Sequence, residues 1–105
     1  MDTKKLVERV TQTLCSVNQE GRKYETAWLS FEDDLTGRER YVLNIKADYT
    51  VNSYYEETRS LTELLWRELD SESLRMIARI AVYDSHNDIH SWSEDIVLFK
   101  SPAVC

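Results

Sequence analysis

Apolar residues near the start of the chain recur with helical spacing. Leu6, Val7, Val10, Leu14 and Val17 fall on one stripe about 100° wide when each residue advances by about 100°. This predicts an amphipathic helix from Thr3 to about Gln19, capped by Asp2 or Thr3 and closed near Gly21. From Tyr24 to Asn52 the period changes to two. Tyr41, Leu43, Ile45, Ala47, Tyr49 and Val51 alternate with polar residues, which predicts a strand buried on one face. Glu25 to Phe31 is its expected antiparallel partner, reached through the Asp- and Gly-containing turn 33–37. Ser60 and Glu63 have capping-box spacing ahead of Leu61, Leu64, Leu65 and Leu69, so a second helix is expected to begin near Ser60. Leu74 to Tyr83 carries both periods, and a strand is expected from about Met76. The polar run from Asp84 to Asp88 then reads as the loop of a second hairpin closing through Trp92 to Phe99, followed by a tail containing Pro102.

The expected class is therefore α+β: an antiparallel sheet of four to five strands with two helices on one face, in the order α-β-β-α-β-β. All 105 residues are expected to form a single globular domain. The repeated helix–strand–strand order suggests a weak internal duplication of 3–52 and 60–99, in pattern rather than in residue identity.

Composition narrows the chemistry. Gly21 and Gly37 are the only glycines, so no phosphate-cradling loop, dinucleotide fingerprint or nucleophile elbow can be written. No cofactor is expected. The two cysteines, Cys15 and Cys105, form no Cys-x-x-Cys pair, and inert or incidentally oxidisable thiols in a reducing cytoplasm are the simplest reading. No apolar run approaches the roughly 20 residues of a membrane span, so neither export by a cleavable signal nor membrane insertion is expected.

The net charge of −6 disfavours nucleic-acid binding, which needs clustered Lys and Arg. Residues 24–57 carry −5 and residues 84–105 carry −3, while residues 1–23 carry +2 and residues 58–83 are neutral. Acidic groups such as Glu32, Asp33 and Asp34 thus gather at expected loop tips, where they can steer a basic protein partner. Three Trp and six Tyr exceed what one small core needs. Trp28, Tyr54, Tyr55, Trp66 and Trp92 are accordingly candidate interface anchors.

Asp84, His86, Asp88 and His90 form the only cluster with metal-ligand character, because an extended chain projects all four to one face. Asp, Asn, Ser and His are equally the residues of a polar turn. No catalytic residue is assigned. Small size, acidity and helix–strand–strand order are similar to those of toxin-neutralising immunity proteins, phage-encoded inhibitors of bacterial defence and secretion chaperones. What this likeness of topology and charge implies is a cytoplasmic protein-binding module of inhibitor, immunity or adaptor type. The alternatives are a small enzyme or ligand- or metal-binding domain built on the Asp84/His86/Asp88/His90 loop, and a self-associating domain that forms a homodimer.

Overall fold

The computed structural model describes residues 3–20, 24–33, 39–47 and 54–100. Helix α1 runs Thr3–Gln19 and buries Leu6, Val10 and Leu14 completely, as the sequence stripe requires. Each such side chain contributes about 1.5–3 kcal/mol of transfer free energy. The helix end is clipped to the first strand in both directions: Tyr24 N–H donates to Asn18 Oδ1 (2.6 Å), and Asn18 Nδ2 donates to the Tyr24 carbonyl (3.2 Å).

Strands β1 (Tyr24–Asp33) and β2 (Glu39–Ala47) pair antiparallel, with Ala27 opposite Ile45, Leu29 opposite Leu43 and Phe31 opposite Tyr41. Ala27, Leu29, Leu43, Ile45 and Ala47 belong to the core formed with α1 and α2. The alternation of β2 predicts this helix-side face correctly, but Val42 and Asn44 on its other face are buried too, so the strand is not buried on one face alone. Beyond Ala47 the expected continuation to Val51 lies outside the described residues, as does the turn 34–38.

Helix α2 spans Tyr54–Glu68, α3 spans Ser71–Arg75, β3 spans Ile77–Asp84 and β4 spans Ile96–Phe99. The helix thus starts well before Ser60, which lies inside it, so the Ser60–Glu63 spacing marks no N-terminus. Two helices were expected, and α3 is a third. It is a single turn capped by Asp70, whose carboxylate accepts from Ser73 N–H at 2.7 Å.

The sheet is four-stranded and mixed, in the order β3-β2-β1-β4. This corrects the wholly antiparallel expectation: β3 runs parallel to β2, with Leu43 opposite Ile80 and Ile45 opposite Val82. The reason is the intervening helix. A strand that returns over a packed helix arrives in the direction of the strand it left, whereas only a tight turn reverses the chain. Strands β3 and β4 consequently lie on opposite edges and make no hairpin, so the second half does not repeat the paired strands of the first. Only Ile96–Phe99 of the expected strand Trp92–Phe99 joins the sheet, against β1.

The face turned away from the helices is not bare. Trp28, Val42 and Asn44 project there and are buried. Ile89, His90 and Ser91 of the 85–95 connection line a cleft together with Trp28 on this face.

Candidate functional site

The outer edge of β3 is the most distinctive surface. Among the described residues its backbone pairs with β2 on one side only. Because Ser85 N–H donates to the Ala47 carbonyl, alternation along a parallel ladder turns the N–H and C=O groups of Ile80 and Val82 away from β2. These groups form a ready template for another strand. No Pro or Lys interrupts the eight residues, and Ala78, at an irregularity in the β2 register, is the one disturbance.

A groove of about 240 Å³ runs beside this edge on the helix side, between α2, α3 and β3. Leu65, Leu74, Ile77 and Ile80 form its apolar lining, and Trp66 stands at its rim with 71% of its surface exposed. Helical geometry explains the placement. Leu61, Leu65 and Leu69 share the inward face of α2, and the residue after Leu65 is turned by about 100° to the flank beside β3. An added strand would set alternate side chains into this groove.

The expected anchors separate into groups. Trp66, Tyr55 (74% exposed) and Trp92 (66%) are on the surface, and Trp92 contacts the His90 ring at a centroid distance of 4.9 Å. Trp28 is not exposed: only 2% of it is accessible, so it cannot serve as a surface anchor. It is out of phase with Ala27 and Leu29 because it faces the opposite side of the sheet, where it is stacked on Tyr83. Tyr54 is placed only as the first residue of α2 and Asp33 only as the last residue of β1. Asp34 lies outside the described residues. Phe31, which sequence reasoning passed over, is half exposed and packs edge-on to Tyr41 at the uncovered end of the helix-side face. Its in-phase position on β1 resembles a core residue, and nothing local shows that the helices stop short of it.

The acidic positions divide similarly. Glu32 is half exposed and lies 3.8 Å from Arg79 across the sheet. Glu57 is turned inward and buried, so it contributes nothing to an acidic rim. From Ile80 to Phe99 the chain contains four carboxylates and no Lys or Arg, so the edge strand leads directly into a negatively charged segment.

The Asp84/His86/Asp88/His90 cluster does not assemble, and among the described residues no group of three or more His, Cys, Asp or Glu side chains converges as a metal site would require. Polar side chains build the turns of this connection instead. Asp84 Oδ1 accepts from His86 N–H and Asn87 Oδ1 accepts from Ile89 N–H, each at 2.9 Å, while Asp95 Oδ2 accepts from Trp92 N–H at 2.7 Å. These are the local side-chain-to-backbone bonds that make Asp and Asn common in turns.

One carboxylate has a perturbed acidity. The backbone N–H of Ser73 and the ammonium of Lys5, 3.0 Å away, hold Asp70 far below the usual carboxylate range. The ion pair ties α1 to the start of α3, a structural role that suits its exposed location. Cys15 is disulfide-bonded, which corrects its reading as an inert thiol; Cys105, the other cysteine of the chain, lies outside the described residues. Among the described residues no helix is long and apolar enough to cross a membrane.

Comparison with known proteins identifies no relative: no family model, curated protein or solved structure matches the chain.

Proposed function

We propose that the chain is a non-enzymatic protein-binding module that takes an extended segment of a basic partner onto the free edge of β3. The observation that carries this reading is the coincidence, at one place, of an outward-facing strand backbone, an apolar groove and the exposed Trp66. Backbone bonds supply register and affinity in strand addition, and the groove reads alternate side chains. The net charge of −6 and the carboxylates that follow β3 favour a partner with Lys or Arg beyond its apolar residues. Their attraction acts chiefly on the association rate. In biological terms the reading is an inhibitor, immunity or adaptor protein.

The test is affinity capture from the native host at low and moderate salt, with wild-type protein, Trp66→Ala and Val82→Pro compared. Proline is tolerated at a sheet edge but removes the outward N–H. The reading requires one basic protein to be captured by wild type, released by salt and lost from both variants while their circular dichroism stays native. Equal capture by all three refutes it.

The same edge supports a second reading, in which two copies pair their β3 strands into a continuous sheet. Sedimentation of the purified chain separates the two: a dimer abolished by Val82→Pro favours self-association, and a monomer at working concentration favours the foreign strand.

A further inference from the structure

On the sheet face turned away from the helices, a cleft of about 360 Å³ opens between the ends of the strands and the 85–95 connection. The almost fully buried Trp28 touches it. Thr26 of β1, Lys46 of β2 and Lys100, directly after β4, line it together with His90 and Ser91.

The charge of this cleft is the reverse of that of the whole chain. The sequence holds 19 Asp and Glu against 13 Lys and Arg, yet among the described residues that line the cleft there is no Asp or Glu and there are two lysines. Neither the Lys46 nor the Lys100 ammonium has an ion-pair or hydrogen-bond partner among the described residues. The groove between α1 and α2 shows the ordinary arrangement, with Arg9 and Arg67 balanced by Glu20 and Glu68. His90 Nδ1 lies 2.9 Å from the Ser91 carbonyl oxygen. That oxygen can only accept, so the proton sits on Nδ1 and Nε2 remains available. Thr26 Oγ1 donates to the Lys100 carbonyl at 3.4 Å, joining the end of β4 to β1.

We propose that this cleft binds a small phosphate-bearing molecule, with Lys46 and Lys100 contacting the phosphate. Two ammonium groups on flexible stems suit a compact, nearly dianionic group better than a monocarboxylate, which one of them would satisfy. The cleft volume falls within the range of about 300–1,000 Å³ usual for small-molecule sites, so it accommodates an ester rather than a bare ion alone. Repulsion from the surrounding negative charge is screened over about 8–10 Å, so contacts inside the cleft decide binding. This site is independent of the β3 edge, and failure of either leaves the other standing.

The test is an amide-resolved NMR titration of the full chain with inorganic phosphate and, separately, with glucose 6-phosphate, using chloride at matched ionic strength as control. Saturable shifts confined to Thr26, Lys46, His90, Ser91 and Lys100 are the expected result. Lys46→Gln and Lys100→Gln should each weaken binding about tenfold, the effect of losing one charge-assisted hydrogen bond. Arg67→Gln, an equal charge change on α2, should leave it unaltered. Tighter binding of the sugar phosphate identifies a phosphorylated metabolite as the ligand, and equal binding identifies the phosphate group alone. Shifts that do not saturate, that chloride reproduces, or that persist undiminished in both lysine variants overturn the proposal.

Discussion

The ring of Trp28 on β1 lies nearly parallel to that of Tyr83 on β3, with centroids 6.5 Å apart and planes 10° from each other. Strand β2 runs between their two strands, so the stacked pair bridges the central strand and holds the parallel edge strand to the antiparallel hairpin. The pair accounts for part of the burial on the sheet face that the helices leave uncovered.

Trp28→Ala should therefore be among the most destabilising single changes in the chain, by about 3–5 kcal/mol as for other buried aromatic truncations. Tyr83→Ala should cost less, because Tyr83 is only partly buried. A double-mutant cycle in urea should return a coupling of about 0.5–1.5 kcal/mol for the pair. Strict additivity would show that the two rings contribute independently.

Asn44 occupies the middle of the same face, buried, with Nδ2 donating to Ser30 Oγ at 2.9 Å and to the Val42 carbonyl at 3.1 Å. Asn44→Ala should lower the urea midpoint by the equivalent of about 1–3 kcal/mol, since it leaves the Ser30 hydroxyl without this donor in a partly buried place. Ser30→Ala should cost less, because Asn44 keeps its bond to the Val42 carbonyl.

Stability should depend on Asp70 in a pH-specific way. Its folded acidity is stronger than the ordinary value of 3.8, so the native state binds protons less readily than the unfolded chain. The resulting stabilisation is complete above that ordinary value and is lost as pH falls below it toward the folded value. Asp70→Asn should thus melt at a lower temperature than wild type at pH 7, with the difference shrinking progressively in strongly acidic buffer. A gap independent of pH would assign the effect to packing instead.

The bond at Cys15 should be visible by intact mass and thiol alkylation, with no alkylation of Cys15 until a reductant is added. Reduction should lower stability by about 2–4 kcal/mol, typical for a cross-link that restricts the unfolded chain. Disulfides are rare in reducing compartments, so the bond weighs against the cytoplasmic expectation. Alkylation in intact host cells decides the point.

The elements most legible in the sequence were those whose periodicity coincides with their environment. Leu6, Val10 and Leu14 announce α1, and Tyr41 through Ala47 announce the buried face of β2, because a single face of each meets the core. Strand β3 was legible as a strand but not as a parallel one, since pairing direction depends on the helix packed between β2 and β3. The hairpin expected through Asp84–Asp88 failed because its turn residues serve an eleven-residue connection, 85–95, rather than a tight reversal. The free edge and its groove were therefore invisible: a strand placed in a hairpin has its outer neighbour already assigned. Trp66 is legible only as one of the aromatic residues in excess of what a small core needs, whereas Lys46 and Lys100, far apart in sequence and individually unremarkable, give no local signal of a shared cleft.

The placement of β4 also constrains when the molecule can become whole during synthesis. Phe99, a buried member of the core, pairs with Ala27 on β1, joining the beginning of the sheet to nearly the end of the described chain. As the polypeptide emerges at about 5–20 residues per second, the hairpin and the helices are available well before their last partner. Throughout that interval both outer sides of the growing sheet are unprotected, and the arrival of β4 covers β1 at Ala27, Trp28 and Leu29. A nascent chain stalled before Ile96 should accordingly associate with a strand-binding chaperone through Ala27, Trp28 and Leu29 of β1, the positions that β4 later occupies.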